Sequence, residues 1–212
     1  MTRLLETVLR PGDLFIDVGG NEGYFAILAA TLVAQGKVHC IEPQSRLQPI
    51  LRENIRLNSA YSVTVHQVAL SDKAGEVELF LRPSTNTGAS SLFRHWRIGW
   101  TRERVRATTL DSFFQDNALR RARLLKVDCE GAEGLVIAGG RQVLGQQAVD
   151  FVALEYHPTI IGVARCLETH KALRSWGYVL TKVHGQCIYH LPGLEAALQP
   201  LGELRVGCEW DD

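Results

Sequence analysis

The chain has no C-x-x-C pair, and its five cysteines, Cys40, Cys129, Cys166, Cys187 and Cys208, are scattered and odd in number. That spacing argues against a disulfide framework and against a structural zinc site, and it fits a reducing cytoplasm. Cys187 with His190, and Cys166 with His170, are isolated pairs of the kind that more often pack than bind metal. An excess of charge is missing too. Twenty-three basic residues balance 23 acidic ones, so no global field draws the chain to nucleic acid or an anionic membrane, and a small or neutral partner is expected. Nor is there a long apolar run: the longest, residues 24–34, is about half of what a bilayer span needs. Glu6 and Arg10 interrupt the opening segment where a signal peptide would be apolar. What is present is a length of 212 residues, which suits one well-buried α/β domain rather than two, and a hydrophobic fraction of 46%, which supports a real core.

The organising stretch is FIDVGGNEGYF, residues 15–25. Apolar residues run into an acid, then a glycine-bounded turn, then an amphipathic segment to Ala34, which reads as a buried strand, a tight loop and a helix start. A dinucleotide fingerprint, G-x-G-x-x-G, fails here. Counted from Gly19, its second glycine falls on Asn21 and its third on Tyr24, where close helix-to-strand packing is needed. Glu22 adds negative charge at the helix N-terminus, where a pyrophosphate would have to bind. Acids around a glycine turn suit a cation, and S-adenosylmethionine carries a sulfonium and an ammonium without phosphate. Gly19, Gly20 and Gly23 let backbone approach its methionine part closely, and Asp17 can meet the ammonium directly or through water. The same pattern also occurs as a plain turn.

Along the chain, residues 1–10 read as a short amphipathic helix ended by Pro11-Gly12, and KVHCIEP follows the second helix as a strand ending in Glu42. This strand-helix-strand unit predicts a parallel sheet. Glu42 lies where a carboxylate accepts from both hydroxyls of a ribose, and Pro43 turns the chain away beside it. Residues 45–58 read as a helix and 61–68 as a third strand, whose exit offers Ala69 and Leu70 as an apolar wall for an adenine ring. Residues 76–81 alternate like an edge strand. A polar loop follows, in which Arg94, His95, Trp96, Arg97 and Trp100 mix bases with aromatics, either stacking on a substrate or RNA or forming a flap. After a strand at 105–109 and a short helix, residues 123–140 give a buried strand ending at Asp128, an acid-rich turn with Glu130 and Glu133, and a helix stopped by Gly139-Gly140. A fifth strand delivers Glu155 and His157 to the same edge. A helix at 163–176 and two short strands around His184-Gly185 complete the sheet with an antiparallel hairpin.

Taken together, DVGGNEGYF, IEP (41–43), LRENIRLN (51–58), VALSD (68–72), GASSL (88–92), TTLDSF (108–113) and LLKVDCEGAEGLVIAGG occur in an order that resembles the FkbM family of S-adenosylmethionine-dependent methyltransferases, over about residues 10–157. The resemblance implies an α/β class I methyltransferase fold, Rossmann-like, with a mostly parallel seven-stranded sheet flanked by helices and a C-terminal antiparallel hairpin. It implies one methyltransferase domain over 1–212, a substrate flap at about 83–104, and O-methylation of a hydroxyl on a sugar, polyketide or other small molecule. Asp17, Gly19, Asn21, Gly23 and Glu42 are then expected to hold the cofactor, with Gly20, Tyr24, Pro43, Ala69, Leu70 and Asp128 completing its surroundings. Relatives often carry Ala at the position of Gly20 and Ile at that of Glu22, which points Glu22 toward substrate or solvent.

Methyl transfer to a hydroxyl needs in-line orientation and a base. Candidates for the base are Asp128 and Glu130, with His157 as an alternative because an ordinary imidazole titrates near working pH, and Glu155 beside it. Two other readings remain open from sequence. Asp128, Glu155 and His157 can form an oxygen/nitrogen site for a divalent metal, or the pocket can bind cofactor without catalysis while residues 94–100 hold a partner.

Overall fold

The structure is a computed structural model, and it describes residues 1–81, 91–92, 101–183, 186–202 and the backbone of 205–206. The aromatic and basic loop at 94–100, the hairpin turn at His184-Gly185 and Cys208 lie outside the described residues.

The main sheet is built from β1 (Leu14–Val18), β2 (Lys37–Ile41), β3 (Val63–His66), β7 (Ala122–Val127), β8 (Val149–Leu154), β9 (Val179–Val183), β10 (Gln186–His190) and β11 (Arg205–Val206), in the order β11-β9-β10-β8-β7-β1-β2-β3. From β3 to β8 the neighbours are parallel, and β10 enters antiparallel between β8 and β9. Seven of these strands form the class I methyltransferase sheet that was expected, and the eighth is a two-residue strand added at its edge. β7 and β8 are buried on both faces and mostly apolar, with Lys126 and Asp150 as buried charges among the apolar residues. On one face Phe15, Leu124 and Phe151 pack with α1 (Thr2–Val8) and α2 (Tyr24–Val33); on the other Ile16, Leu125 and Val152 pack with α4 (Leu110–Asp116), α5 (Glu133–Ala138) and α8 (Val163–Ser175).

The alternating segment expected as an edge strand of this sheet belongs to a second one. β5 (Gly75–Leu81) pairs antiparallel with β6 (Thr101–Thr108), and β6 also pairs with β4 (Ala69–Leu70). Leu79, Val105, Ala107 and Ala69 make its inner side, while Glu76, Glu78, Arg104 and Arg106 alternate outward. β6 takes in residues 101–104, the end of the expected flap. The Ser45 N–H donates to the Glu103 carboxylate at 3.2 Å, so the small sheet is tied over the exit of β2. α3 (Gln48–Leu57) lies within the helix expected at 45–58, whereas two short helices, α6 (Arg141–Gly145) and α7 (Pro158–Ile161), were not expected from sequence. No helix of the described residues is long and apolar enough to cross a membrane.

Candidate active site

The strand ends of β1, β2 and β7 open into a cleft, and the turn after β1 sets its floor. Gly19 has φ +79°, and a Cβ there would stand 1.8 Å from the Asp128 carbonyl oxygen. Only glycine lets the two strand ends touch at this point. Gly20 and Gly23 are also packed tightly within the protein: added Cβ atoms would meet Cys40 Sγ at 2.2 Å and Leu51 Cδ1 at 2.4 Å. Asn21 donates its N–H to Glu42 Oε2 at 2.9 Å, and Gln44 donates its N–H to Glu42 Oε1 at 2.9 Å. Gln48 secures the loop from below, donating Nε2–H to the Glu42 carbonyl at 2.7 Å. Glu42 is buried, and its carboxylate accepts from the Gln44 side chain as well as from the two backbone N–H groups, which still leaves acceptor capacity on the pair of oxygens for a hydroxyl. Burial raises its pKa, and the Gln44 and Asn21 N–H groups offset part of that rise.

Gly19, Ile41, Pro43, Ala69 and Leu70 line the cleft beside Glu42, joined by Leu79 and Leu92 from the small-sheet region and by Cys129 and Ala132. Tyr24 departs from expectation. Its side chain is 64% exposed, it packs edge-on against Phe25, and it is not among the residues lining the cleft.

Beneath the turn Asp17 is fully buried opposite Lys126, its register partner on β7. Lys126 Nζ donates to Asp17 Oδ1 at 3.0 Å and lies 3.6 Å from Asp128 Oδ2. Asp17 Oδ2 has no hydrogen-bond partner. Burial works against the Lys126 charge, but the two carboxylates outweigh it and hold its pKa above the usual lysine value. Burial also raises the Asp17 pKa, with Lys126 opposing. Lys126 was not singled out from sequence, although a lone lysine inside RLLKV is a signal, because a strand buried on both faces tolerates a charge only when it is paired.

The second part of the site is the turn after β7. Asp128 is held there by its N–H, which donates to the Val18 carbonyl at 3.1 Å. Glu130 and Gly131 follow at φ 52° and 100°, and Ser91 Oγ donates to the Glu130 carbonyl at 2.5 Å. Side-chain oxygens of Asp128 and Glu130 and a ring nitrogen of His157 lie within 4.8 Å of one another, and this is the one His/Cys/Asp/Glu cluster of metal-binding size among the described residues. Glu155 is not part of it. That side chain is exposed and acts on the Met1 amino group, so the metal-binding trio expected from sequence is not assembled, and Glu130 stands in the place given to Glu155.

His157, the alternative base expected from sequence, stands among carboxylates. Its Nδ1 meets Glu133 Oε1 at 3.0 Å. That hydrogen bond, against the opposing effect of burial and with added attraction from Glu130 and Asp128, pushes its pKa up to about 9. That rise favours the protonated ring at neutral pH, with Nδ1 donating to Glu133, and makes the carboxylates the better proton acceptors of the group. The thiols of Cys40 and Cys129 are raised well above the usual cysteine value, chiefly by burial, which disfavours the thiolate form.

Comparison with known proteins gives a consistent picture. The family described as "Methyltransferase FkbM domain" matches residues 17–180. A "2-O-methyltransferase NoeI" of Sinorhizobium fredii is 25% identical over 172 residues, covering 73% of this chain and 67% of the relative. A "Methyltransferase sdnD" of Sordaria araneosa is 31% identical over 159 residues, covering 61% of each. Among solved structures, an FkbM methyltransferase from Methylobacillus flagellatus KT superposes with a TM-score of 0.60 at 15% identity, covering 90% of this chain and 50% of that one. A putative methyltransferase from Streptococcus mutans in complex with SAH gives 0.53 at 11% identity, covering 89% and 92%. These structural likenesses speak for the fold. The chain spans about two thirds of the Sinorhizobium relative and half of the Methylobacillus chain.

Proposed function

Because this chain belongs to the FkbM methyltransferase family, we propose that it is an O-methyltransferase that carries the methyl group of S-adenosylmethionine to a hydroxyl of a small molecule such as a sugar or a polyketide. The observation that supports this best is the contact of Gly19 with the Asp128 carbonyl, which joins the glycine turn and the carboxylate turn into one site. The Sinorhizobium relative, a 2-O-methyltransferase, supports oxygen as the acceptor atom. We read the whole chain as one such domain.

The residues fit the cofactor on three counts. Asp17 Oδ2 is a buried acceptor without a partner, suited to an ammonium. Glu42 has acceptor capacity for ribose hydroxyls. Ile41, Ala69, Leu70 and Leu79 offer an apolar wall to an adenine ring. When bound, the cofactor supplies an electrophilic methyl carbon on a sulfonium. The chain's own residues hold the acceptor oxygen in line with that carbon, an arrangement that contributes much of the rate, and take its proton. Asp128 and Glu130 are the bases we assign, an effect worth about 10²–10⁴-fold.

Metal assistance is the less favoured reading, because an ion at Asp128, Glu130 and His157 would have to displace a proton from a cationic ring and lie beside Lys126. The test is incubation with methyl-labelled cofactor and fractionated metabolites. Wild type should transfer label with or without a chelator. Asp128→Ala and Glu130→Gln, made separately, should cut transfer by about 100-fold or more in at least one case, with S-adenosylhomocysteine affinity nearly unchanged. Normal transfer by both variants would show that the base has been misassigned.

A further inference from the structure

Resting on that reading, we infer that Glu133 is a positioning residue for the transfer: one of its carboxylate oxygens fastens the 129–131 turn and the Nδ1 edge of His157 together, so that Nε2 stands as a fixed hydrogen-bond donor to the acceptor's oxygen.

Glu133 is completely buried at the start of α5. Its Oε1 accepts from the Cys129 N–H at 3.0 Å, from the Gly131 N–H at 3.1 Å and from His157 Nδ1 at 3.0 Å. The two backbone bonds hold a turn in which Glu130, a residue with a Cβ, adopts the left-handed region at φ 52°, a conformation that persists only where its surroundings impose it. Two further contacts press on the same turn: the Ser91 hydroxyl bonds the Glu130 carbonyl, and Gly131 packs so tightly on Ile160 and Ile161 that a Cβ would come within 3.0 Å of both. A helix-terminal acid that only satisfied its own N–H groups would make the two backbone bonds and nothing more. The third bond, to a side chain 24 residues away, is the one that bears on chemistry.

With Nδ1 held, the other edge of the ring is directed at the acids. Nε2 is 3.8 Å from Glu130 Oε2, beyond hydrogen-bond distance, so this donor is not consumed by the carboxylate next to it. A hydroxyl has one proton to give and lone pairs to receive, and the corner offers the complement, a carboxylate for the proton and an N–H for the oxygen. As the acceptor oxygen bonds to the methyl carbon, the carbon–sulfur bond breaks with its electron pair staying on sulfur, and the hydroxyl proton passes to Asp128 or Glu130. A preorganised donor at Nε2 stabilises the charge that builds on oxygen during that proton loss.

The test is nitrogen-15 NMR of histidine-labelled protein at pH 7.5, with the His157 signals identified by their absence from His157→Gln. In wild type both ring nitrogens should carry protons, with the Nδ1 proton strongly hydrogen-bonded. In Glu133→Gln, which keeps an acceptor of nearly the same shape without the charge, the ring should become neutral and its titration midpoint should fall from about 9 toward the ordinary value of about 6.5. A neutral His157 ring in the wild type would overturn the inference even if the variant does not fold, and so would an unchanged midpoint in a folded variant. Calorimetry with S-adenosylhomocysteine on the same wild-type sample separates the two levels. Absence of binding counts against the methyltransferase site itself, whereas normal binding with the wrong His157 signals counts only against the role of Glu133.

Discussion

At the cofactor corner Glu42 is fixed by the backbone N–H groups of Asn21 and Gln44, whereas at the carboxylate corner His157 is fixed by another side chain, Glu133. The first arrangement rests on main-chain donors to both carboxylate oxygens, with the Gln44 side chain adding to them and the Gln48 side chain holding the Glu42 carbonyl, so those two backbone bonds survive substitution around them as long as the turn keeps its path. The second depends on side chains carried by separate elements, β7, α5 and the segment after β8, with Ser91 reaching Glu130 from a fourth. A fold that keeps its cofactor grip while retuning its acceptor chemistry would be divided in this way.

The contrast can be broken most severely where the corners meet. Gly19→Ala forces a Cβ into the Asp128 carbonyl at a positive φ, and it should cost about 4 kcal/mol or prevent folding altogether, as read by urea unfolding. A loss below about 1 kcal/mol would mean that the two turns are not in contact.

The pH dependence of stability should separate the corners next. The pKa of His157 is raised in the folded state from 6.5 to about 9, so the folded protein holds this proton more tightly than the unfolded chain. The resulting stabilisation is complete below pH 6.5, shrinks as pH rises through 9 and is absent above it. Unfolding free energies at pH 6 and pH 10, compared between wild type and His157→Gln, should isolate a contribution of about 3 kcal/mol to that slope. An identical slope in the variant would contradict the Glu133 pairing.

A smaller effect is expected at Glu42. Glu42→Gln should weaken S-adenosylhomocysteine binding by about 10- to 50-fold, the loss of one or two bonds to a charged group, measured by calorimetry, and should leave the His157 titration alone. The smallest effects belong to residues that sequence reasoning favoured and the geometry places outside. Tyr24→Ala and Glu155→Gln, at exposed positions, should each change stability by less than about 0.5 kcal/mol and leave cofactor affinity unaltered.

Much of the cofactor corner was legible because its parts are near one another along the chain: a strand, a glycine turn and a helix within 15–25, and an acid at the next strand's end. The parallel order and the terminal hairpin followed from the same periodicities. The small sheet was not legible, since the alternation of β5 shows a strand but its partner β6 begins 20 residues later, and nothing local says which sheet receives it. Glu133 was seen as an acid near a helix start, without any means of telling that its oxygen would meet His157. Lys126 and Asp17 are 109 positions apart, and only the register of β1 against β7 brings them together. The tight packing of Gly20 on Cys40 and of Gly23 on Leu51 was not legible either, because a linear motif does not display it.

The most direct measurement is a pair of calorimetric titrations of the folded protein, one with S-adenosylhomocysteine and one with NADH. One-to-one binding of S-adenosylhomocysteine, weakened by Glu42→Gln and not displaced by NADH, is the predicted result. Tight binding of NADH, or affinity for S-adenosylhomocysteine that ignores Glu42, would contradict the assignment of this cleft to a methyl donor.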